Sequence, residues 1–339
     1  MYVSRCIRLN EFHRGSFFMP TWSTDVLPAA DRFDYWREVR AKNLFGVSIE
    51  LDPAKRGSFR GKFSAEPLAA ATLIEMHASP YAVARTNEDI SRHPTDSLCI
   101  YQQTRGAAWF STAKKAEFTV VAGAIATSHS DLPYATRPLT DEGFHLRILK
   151  MPFTICAPLT RREADLFPQP LDRDQRLKTL LSLYFTALLD QAPELDDADT
   201  ADAVATMALL ILAVRGVVAN YDEPVRGGIR QARLMCARDM VARNFHRSDL
   251  SPAVIARMLG ISVRHLHLLF EPTGMSFARY LALKRLAHAR ELLAQTSERP
   301  VSSIAFASGF ESLATFYRSF RNTVGVSPMD YRQAVRSGY

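Results

Sequence analysis

The chain has 339 residues, enough for two domains that each bury a core, and its 47% hydrophobic and 23% charged residues are the balance of an ordinary globular protein. The net charge of +7 is unevenly placed: residues 226–339 hold 17 Lys+Arg against 7 Asp+Glu, a net of +10, which leaves −3 for the rest. A basic module joined to a slightly acidic one fits nucleic-acid binding by one end only.

The first 20 residues carry no usable periodicity and are read as an extension, with Met19 as an alternative start. They hold charge but no apolar run of signal-peptide length. The longest apolar run, Ala203 to Val214, falls short of the roughly 20 residues that span a bilayer, so the expectation is a cytoplasmic protein with no membrane partner. Cys6, Cys99, Cys156 and Cys236 are scattered without a CxxC pair, which fits isolated buried thiols in a reducing compartment.

Asp31 to Lys42 has the spacing of an amphipathic helix, with Phe33, Trp36 and Val39 along it. From Leu44 to about Pro152 the pattern changes to short strands broken by Pro, Gly and charged turns. Candidates are residues 47–51, 61–65, 71–77, 81–85, 97–103, 107–110, 118–121, 125–128 and 145–150. This many short strands at close spacing predicts a sandwich or barrel.

Two helices come next, between Leu171 and Asn220. The first carries the stripe Leu177, Leu180, Leu181, Tyr184, Leu188 and Leu189, and the second Val204, Met207, Leu210, Ile211, Val214 and Val218. Asp222 to Gly228, with a Pro and two Gly, reads as an interdomain joint, and Ile229 to Phe245 as the next helix. Ala278 to Ala294 is a long helix with Leu281, Arg285, Leu286, Ala289 and Leu293 along it, set between two similar segments.

The stretch from Ser251 to Tyr331 says nearly the same thing twice. Ile255-Ala256, three residues, Gly260-Ile261 and Ser262 are echoed by Ile304-Ala305, three residues, Gly309-Phe310 and Ser312. Gly274-x-Ser276-x-x-x-Tyr280 is echoed by Gly325-x-Ser327-x-x-x-Tyr331. Each half has helix-turn-helix grammar: an apolar-striped helix, a glycine that takes positive φ without steric cost, and a serine at N-cap position. The second helices bury Leu266, Leu269 and Phe270 in one half, and Phe316, Tyr317 and Phe320 in the other, leaving an opposite face free.

At these residues the chain resembles the AraC/XylS family of transcription regulators. Arg285-Leu286, Ala289, Leu293, Val301, Ile304-Ala305, Gly309-Phe310, Phe316, Phe320, Gly325 and Ser327-Pro328 match the family signature without departure. Phe33-Asp34-Tyr35-Trp36-Arg37-Glu38, Phe59-Arg60-Gly61 and the stretch from Gly123 to Pro133-Tyr134 resemble the cupin-type, AraC-binding-like sensor domain found ahead of this module.

The resemblance implies a multi-domain α+β chain. Its parts are an N-terminal extension (1–20), a cupin-like ligand-sensing barrel (21–170), a helical linker for dimerisation (171–221) and an all-α tandem helix-turn-helix domain (222–339). In the family the second helix of each half enters the major groove. That assigns Arg264, His267, Leu313, Thr315 and Arg318 to base edges and Arg321, with Arg279, to phosphates, while Gly260 and Gly309 make the turns. Arg bridges guanine O6 and N7, and a leucine or threonine methyl meets a thymine methyl. Leu268 stands where the family often has a polar reader.

The partners implied are promoter DNA, a small-molecule effector, RNA polymerase and a second copy of the chain, with activation the expected outcome. Two alternatives stay open. One is a cupin-type enzyme fused to a DNA anchor, which would need converging metal ligands. His77, His93, His129 and His145 each stand alone with no His-x-His between Leu44 and Pro152, so no metal, cofactor or catalytic residue is assigned. The other is a DNA-binding dimer whose N-terminal domain senses nothing. Pocket residues are not readable without strand register.

Overall fold

The computed structural model describes residues 21–39, 45–113, 116–156, 159–160, 166–171, 174–218, 222–295 and 298–337. The segment 1–20, with Cys6, lies outside them. The chain forms two units, Met1–Pro152 with Leu166–Pro170, and Phe153–Asp165 with Leu171–Tyr339.

The first unit is two antiparallel sheets. The larger contains β1 (Thr21–Ser23), β3 (Gly61–Leu68), β4 (Ala71–Ala78), β6 (Ser97–Arg105), β9 (Ile125–His129), β11 (Phe144–Pro152) and β12 (Gln169–Pro170), in the order β1-β3-β4-β11-β6-β9-β12. The smaller runs β2-β5-β10-β7-β8, from Ser48–Glu50, Ala82–Arg85, Tyr134–Pro138, Ala108–Thr112 and Glu117–Val120. All nine strands expected from the sequence are present. Strands β1, β10 and β12 and the helix α2 (Asn87–Arg92) were not among them.

Alternation builds the core, because successive side chains of a strand face opposite sides. Along β4, Ile74 and Met76 are fully buried while Glu75 is half-buried and His77 exposed. The helix α1 (Arg32–Trp36) is the described start of the helix predicted over 31–42; a wider helical turn continues it to Val39. Its Trp36 and Phe33 are 1% exposed, and Trp36 meets Phe59 at 5.7 Å and Phe63 at 5.4 Å between ring centroids. Arg85, 2% exposed, donates to the carbonyl oxygens of Ser130 (3.1 Å) and His93 (2.8 Å) and to Asp131 Oδ1 (3.0 Å). With a further donation to the Phe45 carbonyl (3.3 Å), one side chain thereby holds three loops to β5.

The second unit is helical: α3 (Gln175–Gln191), α4 (Asp197–Val214), α5 (Glu223–Asn244), α6 (Pro252–Met258), α7 (Val263–Phe270), α8 (Phe277–Gln295), α9 (Val301–Ala307), α10 (Leu313–Val324) and α11 (Pro328–Arg336). Two expectations need correction here. The stretch 222–228 is no joint, because α5 begins at Glu223 with Pro224 in its first turn, where proline's missing N–H costs nothing. Gly228 is helical and lies against α4: a Cβ there would come within 2.6 Å of Leu209 Cδ2.

The second correction concerns the apolar stripes of α3 and α4, expected to form a dimerisation surface. Leu181, Leu188, Leu210 and Ile211 are 0% exposed within the single chain. They pack against each other and on α5, with Tyr184 Oη donating to the Ala203 carbonyl (2.9 Å), Thr206 Oγ1 to Gln231 Oε1 (3.0 Å) and Gln191 Nε2 to the Met235 carbonyl (3.0 Å). Arg243 of α5 is paired with both Asp190 and Asp239. The apolar stripes are real, but their partner is the chain's own core, since periodicity gives a face and not the element that covers it.

Candidate nucleic-acid interface and ligand cavity

Both helix-turn-helix halves are closed by the same hydrogen bonds. After α6, Gly260 has φ +64°, its N–H donates to the Arg257 carbonyl (3.1 Å) and that of Ile261 to Ala256 (2.9 Å). After α9, Gly309 has φ +84°, with Gly309 donating to Phe306 (2.9 Å) and Phe310 to Ala305 (3.1 Å). This paired closure satisfies helix-end carbonyls and needs the left-handed conformation that glycine takes most cheaply. Ser262 Oγ then accepts from the His265 amide (3.1 Å) and Ser312 Oγ from the Thr315 amide (3.2 Å), capping α7 and α10.

Each second helix buries one stripe. Leu266 and Leu269 with Phe270 are at most 4% exposed, and Phe316 and Phe320 are 0%. Tyr317, expected in that stripe, is 40% exposed, because one residue along a helix turns the side chain about 100° away from the 316/320 line. On the opposite faces Arg264, His267, Leu313, Thr315, Arg318 and Arg321 are all exposed, as is Arg279. No hydrogen bond or ion pair from the side chains of Arg264, His267, Arg318 or Arg321 to another described residue is present. Thr315 differs: its Oγ1 accepts from Ser312 Oγ at 2.9 Å. Val263 and Leu268, 40% and 47% exposed, add apolar surface to the α7 face. Next to it, burial and the charge of Arg233 lower the His265 pKa, favouring the neutral imidazole.

Sequence reasoning named Arg285 as part of a signature without assigning its contacts. Its Nε donates to the Phe245 carbonyl (2.8 Å) and its Nη2 to that of Arg247 (2.7 Å), at the end of α5. Its guanidinium also lies 6.0 Å from the Phe310 ring centroid. At Gly309 an added Cβ would stand 2.2 Å from that same Phe245 oxygen. Arg285, Phe245 and the second turn meet at one point, so the two halves are held together by more than the length of α8.

A cavity of about 90 Å³ lies between the sheets of the first unit. Tyr101, Ser128 and Ala126 line it from the larger sheet, and Val83, Phe110 and Tyr134 from the smaller. None of its lining residues carries a charge. Burial raises the Tyr101 pKa well above the usual phenol value, keeping that group neutral, and Ser128 Oγ donates to its oxygen at 3.1 Å. Burial likewise pushes the Cys236 thiol of α5 up to about 12, in keeping with an inert structural cysteine.

The histidines are not all alone. The pairing of β4 with β11 sets His77 opposite His145 and Glu75 opposite Arg147. The two imidazoles stack with centroids 3.6 Å apart, and His145 Nε2 is 2.8 Å from Glu75 Oε1. His129 is a buried structural residue, 3.1 Å from Asp96 Oδ1 and accepting from the Asp131 amide at 3.2 Å.

Comparison with known proteins matches residues 255–334 to a helix-turn-helix domain family and residues 79–214 to an AraC-like ligand binding domain family. Among curated relatives, the transcriptional activator NphR of Rhodococcus sp. is 34% identical over 94 residues, 28% of this chain and 28% of that protein. The transcriptional activator RhrA of Rhizobium meliloti (strain 1021) is 32% identical over 102 residues, 30% of this chain and 32% of that one. The chain therefore matches about a third or less of the length of these relatives. The crystal structure of the AraC-like transcriptional activator CuxR superposes with a TM-score of 0.50 at 20% identity, over 85% of this chain and 99% of that one, which shows a shared fold. No single described helix is long and apolar enough to cross a membrane. Residues 79–214 thus form an AraC-like ligand binding domain ahead of a doubled, serine-capped helix-turn-helix domain at 255–334, the two parts of an AraC-type chain.

Proposed function

We propose that this protein is a non-enzymatic, cytoplasmic transcription regulator that binds promoter DNA through α7 and α10 and responds to a small molecule held between its sheets. The observation that carries the reading is the pair of second helices whose outward arginines lack partners among the described residues on a module of net charge +10. Phosphate neutralisation by such groups releases counterions, so affinity should fall steeply as salt rises. The names of NphR and RhrA as transcriptional activators support activation through RNA polymerase, and a homodimer would double the number of half-sites read.

Arg318→Ala and Arg264→Ala are expected to cost about 1–3 kcal/mol each on the cognate site while leaving random-sequence binding nearly intact. Fluorescence anisotropy of the purified chain on both DNAs checks this; equal losses would reassign the residue to phosphate. Absence of any low-salt DNA binding would end the reading.

The uncharged lining of the cavity supports a neutral, largely apolar effector with one or two polar groups for Tyr101, Ser128 or Tyr134. Ala126→Leu should fill part of the space and abolish a ligand-induced rise in melting temperature, with DNA binding in the absence of ligand preserved. A ligand shift that survives this substitution would place the effector elsewhere. Regulation then requires that the effector bind the DNA-competent and incompetent states with different affinity.

A further inference from the structure

Glu75, His77 and His145 project from β4 and β11 on the sheet face opposite the cavity, since the intervening Leu146 and its neighbour Ile148 line the cavity. One donor atom from each residue lies within 4.8 Å of those of the other two. The imidazoles are stacked with 17° between their planes, and His145 Nε2 already shares a proton with Glu75 Oε1 at 2.8 Å. We propose that these three side chains form a binding site for a borderline divalent transition-metal ion, of which Zn²⁺ is the reference case.

Chemistry and placement both support it. Two imidazoles and a carboxylate are donors that suit Zn²⁺, Ni²⁺ or Cu²⁺, whereas Mg²⁺ and Ca²⁺ prefer all-oxygen shells. Binding replaces the proton between His145 and Glu75 with the ion. The rings must splay from their stack, because an ion in the plane of one ring lies outside the plane of its parallel neighbour. Side-chain rotation alone achieves this, as His77 is exposed and both partners are half-buried. Three protein ligands leave a fourth position for water or a further ligand.

The surrounding charges oppose a cation and set how tight the site can be. Arg147 Nε contacts Glu75 Oε1 at 3.1 Å, Lys62 is paired with His77 across β3, and Arg105 with His145 across β6. Arg147 competes with the ion for Glu75, and this gives the site a signature that adventitious surface histidines lack.

The test uses the full-length protein, stripped with a chelator and dialysed, titrated calorimetrically with Zn²⁺ and followed by visible absorption with Co²⁺. One ion per chain is expected, with a Co²⁺ spectrum of inner-sphere nitrogen ligation. His77→Ala and His145→Ala should each weaken binding at least about tenfold, and Glu75→Gln should weaken it as well. His93→Ala, an exposed histidine elsewhere, should change nothing. Arg147→Ala should tighten binding several-fold. Melting curves without metal confirm that each variant is folded. Absence of saturable binding, or binding unchanged in the His77→Ala/His145→Ala double variant, overturns the proposal. An Arg147→Ala variant that binds no tighter removes Glu75 from the ligand set and overturns the three-residue site.

Discussion

Gly309→Ala is expected to destabilise the helical unit by about 3 kcal/mol or more and to abolish specific DNA binding. Two costs add. The φ of +84° is a left-handed conformation that costs an L-residue roughly 1–2 kcal/mol. The new methyl would then stand 2.2 Å from the Phe245 carbonyl oxygen and 3.0 Å from the His246 carbonyl carbon, and backbone cannot swing aside as a flexible side chain can. Displacing Phe245 also pulls away the acceptor of Arg285 Nε. Gly260→Ala is the internal control, for it has φ +64° but nothing within 4 Å of the added methyl. It should cost only about 1–2 kcal/mol, the conformational part alone. Melting temperature and anisotropy on cognate DNA, measured for both variants, check the contrast. Equal effects at the two glycines would show that the close approach at Phe245 is unimportant.

Leu188→Ala is expected to cost about 2–5 kcal/mol, the range for deleting a fully buried leucine side chain, and Leu181→Ala a similar amount. Both residues are 0% exposed among α3, α4 and α5, so truncation opens a cavity in the chain's own core. The melting temperature of the helical unit should fall, while the mass seen by sedimentation at a fixed protein concentration stays the same. A variant that dissociates a dimer yet melts like the parent would return these leucines to a subunit interface. The substitutions thus separate folding from assembly at positions where the amphipathic pattern is compatible with either.

How much is legible in the sequence depends on how local each feature is. The helix-turn-helix pair is legible because Gly260, Ser262, Gly309 and Ser312 act within a few residues of their own hydrogen-bond partners. The nine longer or more apolar strands are legible from alternation. Strand β10 is not: Tyr-Ala-Thr-Arg-Pro has no apolar alternation, and its burial is uniformly partial or exposed. Strands β1 and β12 are only three and two residues long. The meeting of Glu75, His77 and His145 depends on the register of β4 against β11, strands some seventy residues apart, and no spacing within one segment encodes it. Gly227 and Gly228 mislead because glycine marks both flexible joints and close helix contacts, and only the position of Leu209 distinguishes them. The outward position of Tyr317 is legible in principle from helical period, and it adds an aromatic to the α10 face.

The meeting of Arg285, Phe245 and Gly309 has a consequence for affinity. The joining helix α8 has 19 residues and is about 28 Å long at 1.5 Å per residue, of the same order as one turn of DNA, about 34 Å. If α7 and α10 enter the grooves as proposed, then once one is seated the other is presented to its groove at a high effective concentration, because no linker entropy is left to lose. Neither half then needs strong contacts by itself, which makes the apolar Leu268 tolerable on the first helix. The same stiffness is exacting about operator spacing. Inserting a few base pairs between the half-sites should remove the whole avidity gain at once, since a rigid coupling cannot stretch or swivel to follow a displaced groove.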